Sequence, residues 1–188
     1  MAIVKNNPFT QGLSGKLGNL FSFRQKGTKT VVALLPNPTN KPPTEARLKT
    51  NQDFRQANLY ASAAMKDPEY KRIYKSFEND NHRACDLAKS DYLYKPVIEQ
   101  LNTVNYKGHA SEHIFITVRD TIEVKSVHIK IVATSNKLLE EGIAVKEAEK
   151  FQWKYTTSNG YNRLEACIIS ITAIDYPGNT TVKHWIIE

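Results

Sequence analysis

The chain is poor in the residues that staple, span or cleave. Only two of its 188 residues are cysteine, Cys85 and Cys167. Two cysteines make no disulfide framework. One falls in an expected helix and the other in an expected strand, the pattern of two buried free thiols. No apolar run approaches the ~20 residues that a membrane helix needs, so no membrane partner is expected. The opening, Met1-Ala2-Ile3-Val4-Lys5-Asn6-Asn7-Pro8, has no apolar core of a signal peptide. That favours the cytoplasm, or export without a cleaved leader. Catalytic signatures are also missing. No serine sits in a Gly-x-Ser-x-Gly elbow. Gly15-Lys16 runs into Leu17 and has no glycine five residues before it, which excludes a phosphate-binding loop. His109 and His113 have the spacing of a zinc-binding helix, but they fall where a loop enters a strand, so two solvated histidines are expected. The expectation is a protein that is not an enzyme and holds no cofactor.

Acidic residues are nearly absent from the first quarter. Residues 1–49 carry Lys5, Lys16, Arg24, Lys26, Lys29, Lys41, Arg47 and Lys49 against Glu45 alone. This segment therefore accounts for the whole net charge of +7. Such asymmetry points to an anionic partner, with a solvated basic arm as the alternative. Lys16, Arg24, Lys26 and Lys29 would contact phosphates, and Phe21 and Phe23 would stack on bases.

What is present reads as two parts, 1–92 and 93–188. In the first, Gly12, Gly15 and Gly18 precede a β-hairpin over 20–35, in which Phe21 and Phe23 alternate with Ser22 and Arg24. A lone hairpin is marginal in water, so its edge is expected to pair with a protein partner or a second copy. Four prolines in residues 36–43 make a connector. Thr44 caps a helix over 45–66, with Phe54, Ala57, Ala61 and Met65 on one face. Asp67-Pro68-Glu69 starts a second helix, where Tyr70, Ile73, Tyr74 and Phe77 form a stripe. At that spacing the stripe serves as core, with base stacking as the alternative. A third helix covers about 82–89.

The second part carries about seven short alternating strands, at 96–101, 114–118, 127–131, 138–145 (split by Gly142), 151–155, 167–173 and 182–187. Seven such strands in about 95 residues fit an immunoglobulin-like antiparallel β-sandwich, giving an α+β protein overall.

Two resemblances follow. Gly142-Ile143-Ala144-Val145, Trp153-Lys154-Tyr155-Thr156 and Ala173-Ile174-Asp175-Tyr176-Pro177-Gly178-Asn179 resemble bacterial immunoglobulin-like domains. That likeness implies an adhesive, spacer or carbohydrate-facing module. Leu13-Ser14-Gly15-Lys16-Leu17-Gly18-Asn19, Gly27-Thr28-Lys29-Thr30-Val31-Val32, Pro36 and Phe54-Arg55-Gln56-Ala57 are similar to the opening of a group of small bacterial proteins with no assigned activity. It implies a recurring arm, hairpin and helix, and no functional residues.

In an immunoglobulin-like sandwich the start of the first strand and the ends of the second and sixth meet at one pole. Asp91, Asp120 and Asp175 fall there, with Asn179 on the last turn. Converging carboxylates suit Ca²⁺, while Asp and Asn are also ordinary turn residues. The leading expectation is a non-enzymatic structural or protein-interaction module. Nucleic-acid binding through the basic arm is the alternative.

Overall fold

The computed structural model describes residues 2–4, 7–27, 29–35, 42–149, 151–160 and 166–187. The connector expected over 36–43 falls outside them at 36–41, as does Thr28 in the hairpin turn. The protein is α+β, and its strands are antiparallel throughout. It divides into two compact units, residues 1–52 with 78–83, and residues 53–77 with 84–188.

The first unit is built on β1 (Ala2–Val4), β2 (Gly15–Leu17), β3 (Phe21–Lys26) and β4 (Lys29–Leu34), in the order β1-β4-β3-β2. The hairpin expected from the sequence is β3–β4. Its turn uses Gly27 at φ 59°, a conformation costly for any residue with a Cβ. The glycine-rich start does more than stay flexible, because it supplies β2 at one edge. Gln25 bonds across to the Leu13 carbonyl (2.7 Å) and to Thr30 Oγ1 (2.9 Å).

Helix α1 (Glu45–Ala64) starts at Thr44, whose Oγ1 accepts from the Arg47 amide, and it runs from the first unit into the second. Its buried face is Ala57, Ala61 and Ala64, while Phe54 stays exposed. Helix α2 (Pro68–Ser76) begins as its sequence demands. Asp67 accepts from the Glu69 and Tyr70 amides, Pro68 fills the first turn, and Glu69 meets the positive end of the helix dipole. Tyr74 of the aromatic stripe is fully buried, so it is core and no stacking platform. Helix α3 (Ala84–Leu93) buries Ala84, Ala88 and Asp91. A small core joins Ala61, Ala64, Tyr74, Ala84, Ala88 and Ile122. Residues 53–64 of α1, and α2 and α3 whole, lie in the second unit.

The remaining strands are β5 (Val97–Asn102), β6 (His113–Arg119), β7 (Val124–Ala133), β8 (Leu138–Ile143), β9 (Val145–Lys146), β10 (Gln152–Thr156), β11 (Cys167–Asp175) and β12 (Thr180–Ile187). They form two sheets, β5-β6-β10-β9 and β12-β11-β7-β8. Alternation sends Ile114, Ile116, Val118, Trp153 and Tyr155 from one sheet into the core that Val127, Ile129, Ile131, Ile169 and Ile171 fill from the other. Cys167 is buried in that core and Cys85 half-buried in α3, both as free thiols.

Candidate functional site

Three periodicities each run one step past an apolar row and place a carboxylate on the inward face. In β6 the row Ile114, Ile116, Val118 continues to Asp120. In β11 the row Cys167, Ile169, Ile171, Ala173 continues to Asp175. In α3 the stripe Ala84, Ala88 continues to Asp91. The second strand pair adds a bulge at the right place. Ile174 pairs with Ser126 and Asp175 with Val124, so Lys125 is skipped where the strands bend.

The result brings together the three aspartates expected at one pole. One oxygen from each of Asp91, Asp120 and Asp175 lies within 4.8 Å of the other two. Asp91 and Asp175 are fully buried and Asp120 is half-buried. The surrounding hydrogen bonds are specific. Tyr74 donates to Asp91 Oδ2 at 2.6 Å, and the Tyr74 and Tyr60 hydroxyls are 2.8 Å apart. The Thr121 amide donates to Asp120 Oδ1. Asp175 receives the Asn179 amide on Oδ1 and the Asn179 side chain on Oδ2.

Asn179, expected as a ligand, uses its backbone amide and side-chain nitrogen to hold neighbouring groups together. Its Nδ2 donates to Asp175 and to the carbonyls of Asp91 and Tyr92, both 3.2 Å away. These are carbonyls from the last turn of α3, which have no partner within the helix. Three acceptors around one atom require the nitrogen there, because the amide oxygen would be repelled by all three. Asn179 therefore ties Asp175 to the end of α3.

Two oxygens in the cluster, Asp91 Oδ1 and Asp120 Oδ2, are buried without a hydrogen-bond partner. Among the described residues no Lys, Arg or His forms an ion pair with the three carboxylates. Burial, then repulsion from Asp120 and Asp175, pushes the Asp91 carboxyl up to about 7. Burial and Asp175 push Asp120 up to about 6. Asp175 is also raised by burial, against the bonds from Asn179. Loss of solvent drives Tyr60 up to about 12 and Tyr74 higher still. Chemically, the cluster is an all-oxygen anionic cage held on one helix and two strand ends. The sequence names neither tyrosine for this cage: Tyr74 belongs to an aromatic stripe that carries no mark of what its hydroxyl meets, and Tyr60 falls off the face expected to be buried on α1.

The basic candidates form a second, separate arrangement in the first unit. The register pairs Lys16 with Ser22, Arg24 with Val31, and Lys26 with Lys29. Directly opposed residues share a face, so Lys16, Arg24, Lys26 and Lys29 all stand on one side of the sheet. Phe21 and Phe23 stand on the other, with Leu17, Val32 and Leu34. The candidate phosphate contacts and the candidate stacking rings thus stand on opposite faces of the sheet.

His113 and His184 lie on strands β6 and β12 of the second unit. His113 Nδ1 is 3.2 Å from Thr156 Oγ1, and its ring meets Phe115 edge-on. His184 Nδ1 and Ser170 Oγ are 2.7 Å apart across β11 and β12, on an exposed face. Among the described residues no carboxylate bonds to the His184 ring, so this is a cross-strand pair and not a triad.

No protein-family model matches the chain, and no curated protein matches it. Among solved structures it is similar to CopC from Methylosinus trichosporium OB3b, with a TM-score of 0.37 and 14% identity over 48% of this chain and 89% of that one. A likeness so distant carries no argument about binding. Among the described residues no helix is long and apolar enough to cross a membrane.

Proposed function

We propose that the protein is a non-enzymatic interaction module whose basic N-terminal sheet docks an acidic protein segment as an added strand. The observation that carries this reading is the shared face of Lys16, Arg24, Lys26 and Lys29 beside β2, a strand paired on one side only. An unpaired strand edge offers backbone donors and acceptors. Lys16 lies on that edge strand itself. Lys26 and Lys29 stand directly opposite each other, a like-charged pair that an anionic partner relieves. Two copies of this basic face repel, which argues for a foreign partner over self-association.

The second unit is a two-sheet body in its own right. Its sheet orders, β5-β6-β10-β9 and β8-β7-β11-β12, correspond to A-B-E-D and C′-C-F-G of the immunoglobulin lettering. On this reading the sandwich is immunoglobulin-like and lacks the disulfide between β6 and β11.

A polyanion such as DNA is the second reading, favoured by the same four side chains. Contacts would then be to phosphates alone, since Phe21 and Phe23 face the other way. The test is fluorescence anisotropy with labelled poly-glutamate and a labelled DNA duplex at about 150 mM salt, alongside light scattering. The first reading expects a monomer that binds poly-glutamate, with binding lost in the K16E/R24E/K26E/K29E variant. Duplex binding without poly-glutamate binding selects the second. A dimer of the unliganded protein moves the reading to pairing between β2 edges. Binding to neither probe by a monomer removes both.

A further inference from the structure

We propose that Asp91, Asp120 and Asp175 bind one hard divalent cation of the calcium class, which fastens helix α3 to the ends of β6 and β11. The proposal concerns the second unit alone and stands independently of what the N-terminal sheet binds.

Proximity of carboxylates is not the whole argument. Asp91 is fully buried, yet its Oδ1 has no partner, although a tyrosine hydroxyl is spent on Oδ2. Asp120 repeats the pattern, with the Thr121 amide on Oδ1 and nothing on Oδ2. A buried carboxylate oxygen left without a donor is costly, and two of them in one cluster are a shared demand for positive charge. Asp175 differs only in that Asn179 bonds both of its oxygens, each of which keeps a second lone pair for a metal. A proton shared between two of these carboxylates removes one charge. A divalent cation removes two and gives the three converging carboxylates a shared partner.

The donor set selects the ion. All three donors are carboxylate oxygens, and neither cysteine nor histidine joins them. That excludes the soft and imidazole-rich surroundings that zinc and copper prefer. Oxygens within 4.8 Å of one another leave a central point at most about 2.8 Å from each, so a slight closure reaches the 2.3–2.6 Å typical of Ca²⁺. Mg²⁺, at about 2.1 Å and with strict octahedral geometry, needs a larger contraction. Asp120 is the one partly exposed member of the cluster, the side from which an ion and its remaining water ligands enter. The three ligands come from separate elements, and Asn179 already ties two of them. The ion therefore acts as a clamp within the fold, and no reaction is assigned to it.

The test uses the full chain, stripped with EDTA and returned to chelator-free buffer at about pH 7.5, well above the range of an ordinary aspartate. Isothermal calorimetry with CaCl2 is expected to show one site. At calcium tenfold above its dissociation constant the melting temperature is expected to rise by about 3–5 °C. MgCl2 at the same concentration is expected to give a smaller rise. Asp120→Asn keeps the oxygen that accepts from Thr121, and Asp91→Asn keeps one for Tyr74. Each variant is expected to fold, as read by far-ultraviolet circular dichroism, and to lose the calcium response. If one fails to fold, the other carries the test. The proposal is overturned if wild-type protein shows neither heat nor a shift in melting temperature with about 5 mM CaCl2. It is equally overturned if either folded variant responds as the wild type does.

Discussion

A single aspartate buried in a sandwich would be an anomaly, and three within reach of one another define how this protein responds to pH. An unfolded aspartate titrates near 3.9. In the fold, burial and neighbouring carboxylates push Asp91 up to about 7 and Asp120 up to about 6. Between those limits the folded protein binds more protons than the unfolded chain, so stability falls as pH rises. The contribution is fully present below about pH 4 and lost as pH climbs through about 7. In EDTA, thermal melts are therefore expected to show a melting temperature that declines from about pH 5 to about pH 7.5. Asp120→Asn removes one of the charges and is expected to flatten the decline. A metal-free wild-type profile that is level or rises over this range would contradict the burial described for Asp91. Because the same side chains compete for protons and for a cation, added Ca²⁺ is expected to reduce the slope.

Elements whose causes are local were legible, and those whose causes are distant were not. The start of helix α2 could be placed to the residue, because Asp67, Pro68 and Glu69 act on the backbone beside them. Strand β11 was plain over 167–173 from its alternation of Cys167, Ile169, Ile171 and Ala173, and it runs two residues further, to Asp175. The run from Leu138 to Val145 shows the limit. Read from the sequence, it is one strand split by Gly142. In the fold it leaves one sheet as β8 and joins the other as β9, and the change falls at the buried Ala144, whose amide bonds to the Val127 carbonyl. Gly142 does not break the strand. It makes room, because a Cβ there would come within 2.8 Å of the Tyr155 ring. That ring is buried and its hydroxyl donates to Glu140, so it has little freedom to yield. Gly142→Ala is expected to destabilise the protein by about 1–3 kcal/mol in urea unfolding, the range for overpacking a filled core. An unchanged midpoint would mean that the ring moves freely. Such a constraint arises from β10, a dozen residues further on, which is why the sequence read locally gives the glycine a different reason.

At the scale of the whole molecule the two units differ in how they are held. The second places sixteen buried side chains in one core between its sheets. The first, among its described residues, buries only Thr30 to the same degree, while Ile3, Leu17, Leu20 and Leu34 are more than half exposed. The composition foreshadowed this, since the charge excess lies in residues 1–49 and the apolar alternation in 93–188. What it could not reveal was the pleat, which sends the lysines and the phenylalanines of one hairpin to opposite faces. Amide protection follows the apolar surface removed from water. In hydrogen exchange followed by mass spectrometry, the amides of β7 and β11 are expected to exchange last and those of β3 and β4 early. The gap should be at least two orders of magnitude, since each tenfold step corresponds to only about 1.4 kcal/mol of opening free energy. The comparison also reads out function. If the acidic probe adds a strand beside β2, protection should spread first to β2 and then to β3, the strand it pairs with, leaving β7 and β11 unchanged. If β3 and β4 are already as protected as β11 without any probe, the sheet has a cover of its own in solution, and a free docking face is the wrong account of it.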